Sequence, residues 1–543
     1  MAAAQPPSRA RRLRGLIQAL SLGLFLYLIH QASRPESSVW PPDLFLRLDP
    51  LAALTTPLAL RELAGRLFPE LAILLLAVLA GRVFCGYICP FGITLDLVSN
   101  LRRLIVKDKP VASFKTGRFK YGVALALIIA AACGWNLAFW AAPIPLIIRL
   151  YGLIFYPLGL AAAGAALVAG GPLLENLGWA GAAYASIGSR ALDSLGFLAV
   201  FFGLIFWLEW RRPRFWCRHL CPAGAVLGFL SHRPLWRRRV DRCVGCGRCV
   251  RACPAGAIAA DGRGCDFGEC LTCRICVDEC PVRGVRFGVK DRPALEGEPA
   301  VETSAVPARH LSRRAFLGSS AAGVSLAWLH QGPLALSTPG LVRPPGSLPE
   351  IKFLAACLRC GECLLACPTN GLAPAGLENG PTLIFSPLLL ARRGPCEPEC
   401  NNCGQVCPTG AILPLPLPQK RWAKMGTAVV LPESCLAWAE DRRCVVCQEV
   451  CPYGSIELVA EAGRTVPVPI VTAARCYGCG YCEYHCPVTP TAIVVTSAGA
   501  LRLDHGDYPE EARARGLDLD PAERAIDDEI PADQLPPGFL ELD

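Results

Sequence analysis

The stretch Cys243-Val-Gly-Cys246-Gly-Arg-Cys249-Val-Arg-Ala-Cys253-Pro254 decides how the rest of the sequence is read. Three thiolates at this spacing can wrap one face of a [4Fe–4S] cubane on a tight loop, and the proline turns the fourth toward a neighbouring cluster. The spacing returns at Cys270, Cys273, Cys276 and Cys280, at Cys357, Cys360, Cys363 and Cys367, and at Cys476, Cys479, Cys482 and Cys486, each followed by proline. Two runs are looser: Cys396-x3-Cys400-x2-Cys403-x3-Cys407-Pro and Cys435-x8-Cys444-x2-Cys447-x3-Cys451-Pro. Structural zinc sites use isolated Cys-x2-Cys pairs, so a fused, repeated triple argues against zinc. Disulfides between such close neighbours would be strained.

Six runs of four predict about six [4Fe–4S] clusters and use 24 of the 30 cysteines. Because the fourth cysteine of a run ligates the other cluster of its pair, Cys243, Cys246 and Cys249 take Cys280, while Cys270, Cys273 and Cys276 take Cys253. Likewise Cys357, Cys360 and Cys363 take Cys407, and Cys396, Cys400 and Cys403 take Cys367. Cys435, Cys444 and Cys447 take Cys486, and Cys476, Cys479 and Cys482 take Cys451. Each pair of runs reads as an α+β, bacterial two-cluster ferredoxin-like domain.

Outward from these runs the chain turns apolar. Its 543 residues are 52% hydrophobic, with mean hydropathy +0.37 and net charge +9. The positive charge flanks apolar segments, a pattern of membrane topology rather than of nucleic-acid binding. Arg9, Arg11, Arg12 and Arg14 precede a first span ending near Leu28, which places the N-terminus in the cytoplasm. Further spans are expected at Leu71–Ile88, Tyr121–Trp140 and Leu195–Trp210, four in all, with residues 35–70 as an outer loop. A basic loop around 102–120 and the group Arg211-Arg212-Pro-Arg214 mark inner ends. Residues 151–170, rich in Gly and Ala, fit two short spans, a re-entrant piece or an interfacial helix. Ser312-Arg313-Arg314-Ala315-Phe316-Leu317 and the apolar run to Leu329 form a twin-arginine signal in mid-chain. It predicts that everything beyond about Gln331 lies across the membrane.

Six cysteines lie outside the runs. Cys85-Gly-Tyr-Ile-Cys89-Pro90 and Cys217-Arg-His-Leu-Cys221-Pro222 repeat one pattern, each expected at the cytoplasmic end of an inward-running helix. An i, i+4 spacing puts both thiols on one helical face. Each pair could be a dithiol switch, or all four could meet and bind a metal. Cys133 reads as a small residue inside a span, and Cys265 fits no pattern. His30 and His219 read as structural. No Cys-x-x-Cys-His, no paired intramembrane histidines and no Gly-x-Gly-x-x-Gly turn is present, so neither haem nor a dinucleotide is indicated.

Residues 10–290, with the two Cys-x3-Cys-Pro motifs, four spans, Pro143-Ile-Pro145-Leu-Ile-Ile-Arg149 and the paired runs at 243–281, resemble the NapH/MauN family of membrane ferredoxin-type proteins. Residues 308–500 resemble the NapG/MauM family of twin-arginine-exported ferredoxin-type proteins. The resemblance implies a fusion of the two in which the leader serves as a fifth, anchoring span. The expected domains are 1–232 (polytopic α-helical membrane domain), 233–290 (cytoplasmic two-cluster domain), 291–334 (linker and twin-arginine anchor), 335–500 (periplasmic four-cluster domain, entered through a proline-rich stretch to 350) and 501–543 (solvated acidic tail). Further implications are quinol oxidation at the inner bacterial membrane, electron delivery to a periplasmic c-type cytochrome or reductase of the nitrate-reductase kind, and passage through the twin-arginine export machinery. NosR- and CcoG-type proteins share the membrane motif, so the rival reading is a redox maturation factor that reduces a metal or a disulfide. Cluster-bearing domains on opposite faces would be separated by an apolar layer of roughly 30 Å, too wide for an unassisted electron hop.

Overall fold

The computed structural model describes residues 9–35, 38–62, 65–106, 119–176, 179, 195–289, 311–331 and 341–519. Residues 107–118 of the basic loop, the linker segments 291–310 and 332–340, and the acidic tail from 520 lie outside them.

The helical part contains α1 (Arg9–Gln31), α2 (Pro50–Leu60), α3 (Glu70–Ala80), α4 (Pro90–Val106), α5 (Phe119–Ala132), α6 (Pro143–Leu150), α7 (Leu195–Arg211), α8 (Phe215–His219), α9 (Pro222–Leu230) and α10 (Arg313–Gln331). A π turn, Tyr151–Phe155, carries α6 on into a helix over Tyr156–Asn176, so the open stretch 151–170 is one continuous helical run. By length and composition, Arg9–Gln31 and Pro143–Pro172 are long and apolar enough to cross a membrane. The three other expected spans are shorter helices. The one expected over 71–88 stops where Gly81 adopts φ +80°, a backbone conformation that residues with a Cβ rarely take. Asp49 fixes two helix starts at once: Oδ1 accepts from Leu51 and Ala52 N–H, and Oδ2 accepts from Ile144 N–H at 3.3 Å.

α5 and α10 pack closely and run in the same direction. Ser319 lies over Gly122, and Gly323 lies so close to Ala126 that a Cβ would come within 2.6 Å of its carbonyl oxygen. Small residues four apart let two helix backbones approach in this way.

The first ferredoxin-like unit is a single antiparallel ladder, β1 (Arg237–Val240) with β2 (Val285–Gly288), enclosing two cysteine runs. The second unit has three ladders: β3 (Leu372–Pro374) with β4 (Pro387–Leu389), β5 (Thr427–Val430) with β8 (Ile493–Thr496), and β6 (Ile456–Val459) with β7 (Val468–Val471). Two boundaries move. From residue 341 the proline-rich stretch is folded, with 342–348 buried, because Arg343 is tied to Glu350, Ser386 and the Pro387 carbonyl. The solvated tail expected from 501 begins later. Leu501, Tyr508, Ala512 and Leu519 fill the second unit's core, since the helix Tyr508–Ala514 turns an apolar face inward.

One apolar core runs from Phe267 and Leu271 of the first unit through the helices to Leu365 and Phe385 of the second. α5 touches both units. Lys120 Nζ lies 2.5 Å from Glu269 Oε2 in the first, and Ala131 packs with Ala355 of the second. At a rise of about 1.5 Å per residue those contacts are about 17 Å apart along α5.

Candidate iron–sulfur sites and the helical cavity

The six cysteine groups gather as follows. Cys243, Cys246, Cys249 and Cys280 line one small cavity walled by Val240, Val282 and Val285. Cys357, Cys360, Cys363 and Cys407 line a second, and Cys435, Cys444, Cys447 and Cys486 a third. Cys253 lies within electrostatic reach of Cys270, Cys273 and Cys276, and Cys367 stands in the same relation to Cys396, Cys400 and Cys403. Cys451 faces Cys476, Cys479 and Cys482. Backbone N–H groups point at several sulfurs, from local turns for Arg359 at Cys357, Ala257 at Cys253 and Ser455 at Cys451, and from strand β5 for Ala428 at Cys476, at 3.3–3.4 Å. Burial pushes the Cys357 thiol up to about 11 and holds Cys363 and Cys403 well above the usual thiol range. Such groups ionise at neutral pH only when a bound cation offsets the buried charge. Four soft sulfur donors, apolar walls and N–H groups aimed at sulfur suit an iron–sulfur cluster.

Sequence reasoning missed Cys265. Fully buried, it hydrogen-bonds to the sulfur of Cys270 and holds that thiol below its usual range. A lone cysteine five residues before a run gave no signal for this. Cys133 sits just past the end of α5 and is half-buried rather than a core residue. His30 meets the Tyr156 hydroxyl and His219 packs on Phe215.

The two Cys-x3-Cys-Pro motifs converge. Cys85, Cys89, Cys217 and Cys221 are all buried in one core, and Cys89 lies within electrostatic reach of the other three. Both motifs stand where one helical segment ends and the next begins, and Ser21, near the midpoint of α1, hydrogen-bonds the Ile88 carbonyl at 2.7 Å, so the first motif lies beside the middle of α1. The chain turns back there, because Gly81 ends α3 and Pro90 starts α4. Arginines three residues ahead of each motif reach across to the other. Arg214 donates to the Cys85 carbonyl at 3.0 Å and to Cys217 Sγ at 3.8 Å, and lies over Gly92; Arg82 lies over Gly224.

A cavity of about 1130 Å³ runs along α2, α3, α5 and α9. Its walls are Leu54, Leu58, Leu74, Ile128 and Phe229, with Glu70, Tyr121, His232 and Asp266 as polar members. Both carboxyl oxygens of Glu70 are buried and, among the described residues, have no hydrogen-bond partner.

Repeated four-thiol groups on ferredoxin-like ladders define an iron–sulfur electron-transfer protein. Similarity agrees: the 4Fe-4S binding domain family matches residues 66–107, and the LdpA Fe-S cluster-binding domain family matches 211–264. The chain is 39% identical to the methylamine utilization ferredoxin-type protein MauM of Methylorubrum extorquens, over 34% of this chain and 80% of that protein. It is 36% identical to the ferredoxin-type protein NapG of Escherichia coli, over 35% of this chain and 84% of that protein. The chain belongs to this MauM/NapG family of ferredoxin-type proteins. No solved structure matches it.

Proposed function

We propose that this chain oxidises quinol inside a membrane and passes the electrons to a redox partner on the far side, as a fusion of a NapH/MauN-type membrane protein with a NapG/MauM-type ferredoxin. The first unit (233–290) then faces the cytoplasm with Arg9–Arg14, and the second unit (335 onward, after the twin-arginine helix) faces the periplasm. In this reading α1, α3, α5, α7 and α10 sit in the membrane. The course of α5, whose two ends meet different units, and of α10 parallel to it supports that sidedness. Six clusters in the ligand sets above, together with a c-type cytochrome or periplasmic reductase as acceptor, complete the reading.

The observation that carries it is the apolar cavity with the unpartnered Glu70 carboxylate. Apolar walls with one convergent polar group suit a prenylated ring. Quinol oxidation releases two protons and two electrons, and iron–sulfur clusters, when bound, accept electrons singly. Glu70 is placed to hydrogen-bond a ring hydroxyl and relay its proton, Tyr121 and His232 line the same space, and the apolar walls exclude water. Quinol added to membranes should reduce the second unit's iron–sulfur signals. Glu70→Gln should slow that reduction by about 10²-fold or more, the scale of a lost proton-transfer group, with iron content unchanged. An unaltered rate would overturn the assignment. The four converging thiols favour a second reading, a maturation factor; it is supported if a variant lacking them oxidises quinol normally while a partner loses its metal.

A further inference from the structure

We propose that Cys85, Cys89, Cys217 and Cys221 together hold one additional iron–sulfur cluster, between the two helix hairpins and separate from the six ferredoxin-type groups.

The first ground is pseudo-symmetry. The segments Arg82-x2-Cys85-x3-Cys89-Pro90-x-Gly92 and Arg214-x2-Cys217-x3-Cys221-Pro222-x-Gly224 match position by position. In each, the second cysteine opens a helix with proline next, and its sulfur receives the N–H of the glycine three residues on, at 3.3 Å for Cys221. Each glycine leaves room for the other motif's arginine: a Cβ at Gly92 would come 2.7 Å from Arg214 Nη1, and one at Gly224 would come 2.4 Å from Arg82 Nη2. Two paired thiols related in this way face one central space.

The second ground is charge. Arg82 and Lys120 share the single carboxylate Glu269, and Arg14 and Arg214 share the single carboxylate Asp96. The first knot therefore carries one positive charge in excess; in the second, the buried Glu209 also accepts the backbone N–H of Arg214, and Arg82 and Arg214 each turn a guanidinium N–H toward the sulfurs. An oxidised cubane on four thiolates has a net charge of about −2, which the guanidinium groups of Arg82 and Arg214 face directly. Four neutral thiols, or two disulfides, would leave that positive charge buried without a counterion, an expensive arrangement. A mononuclear ion fits less well. Among the described residues no three His, Cys, Asp or Glu side chains close tightly enough for one, and the ferredoxin-type groups are alike in this.

The third ground is position. A Cβ on Gly86 would strike the carbonyl of Leu271, the neighbour of Cys270 in the first unit. One turn past Cys89, Thr94 Oγ1 meets the Tyr151 hydroxyl at 3.2 Å, and Leu153 packs on Gly361, beside Cys360 of the second unit. A carrier here would divide the gap between the two units into shorter steps.

The test uses the purified full chain and two variants, Cys89→Ser/Cys221→Ser and Arg82→Gln/Arg214→Gln, read by iron analysis and by EPR and Mössbauer spectroscopy. The cysteine variant should lose one spectral component, with about four irons for a cubane or about two for a binuclear centre, and keep the rest. The arginine variant should keep its iron and shift the same component to lower potential, because less positive charge then stabilises the reduced form. Iron content and spectra unchanged in the cysteine variant, or a Cys85–Cys89 or Cys217–Cys221 disulfide trapped by alkylation and mass spectrometry, would overturn the proposal. So would an arginine variant whose every component keeps its potential.

Discussion

The two ferredoxin-like units solve one problem at different scales. The first has a single ladder and two cysteine groups. Its own cluster of buried apolar residues amounts to Val240, Ile258, Cys276 and Val285, and Phe267 and Leu271 belong to the core of the helices. The second has three ladders and three apolar cores of its own, closed by the stacked rings of Tyr453 and Tyr477, whose centroids are 4.8 Å apart. Small domains bury too little surface to stand alone. The first unit is therefore a lid completed by the helices, and the second a body docked on them.

That contrast breaks most severely at Glu269. Its carboxylate accepts from Arg82, Lys120 and Tyr121, and both cations are buried. Glu269→Ala strands two charges, a loss of about 3–5 kcal/mol. Hydrogen exchange should then show protection collapsing over 237–288 while 341–519 keeps its own. Equal loss in both units would mean that they fold as one, and the contrast would fail.

The corresponding knot in the second unit is internal. Arg343 donates to Glu350, Ser386 and the Pro387 carbonyl and lies 4.8 Å over the Phe353 ring. Burial alone would push the Glu350 carboxyl up, but Arg343 and Arg502 hold it below its ordinary range. A carboxyl depressed on folding adds stability that is full above its unfolded value, about 4.3, and is lost as pH falls through the folded one. Arg343→Met should cost about 2–4 kcal/mol and flatten that acid limb of the second unit's unfolding curve. The first unit's exchange should not change.

The cysteine groups were legible because ligand spacing is a local property: three thiols two residues apart must share a loop, whatever surrounds it. The meeting of Cys85 and Cys89 with Cys217 and Cys221 was only one option from sequence, since it depends on Gly81 and Pro90 turning the chain back and on Arg82 and Arg214 crossing between motifs. Glu70 gave no signal at all. An acid at the head of an apolar helix reads as a loop residue until the cavity beside it is seen. The tail misled through composition, because acidic residues around Tyr508, Ala512 and Leu519 hid the apolar face that completes a core.

The smallest effect should come from the salt link that ties the second unit to the helical part. Lys352 Nζ bridges Glu62 at 3.1 Å and Asp504 at 2.7 Å, but all three side chains are exposed. Salt screens such charges, and ordering long side chains offsets most of the attraction. The second unit's hold rests instead on buried contacts: Leu365 against Gly152, Phe385 against Trp140 and Phe197, and Arg66 Nη1 donating to the Cys407 carbonyl at 3.1 Å. Lys352→Ala should leave exchange at the 357–365 face unchanged at low and high salt, whereas Arg66→Met should speed it around 405–407. If the lysine variant released the second unit at low salt, its docking would be electrostatic, and the two units would differ in size but not in the kind of force that seats them.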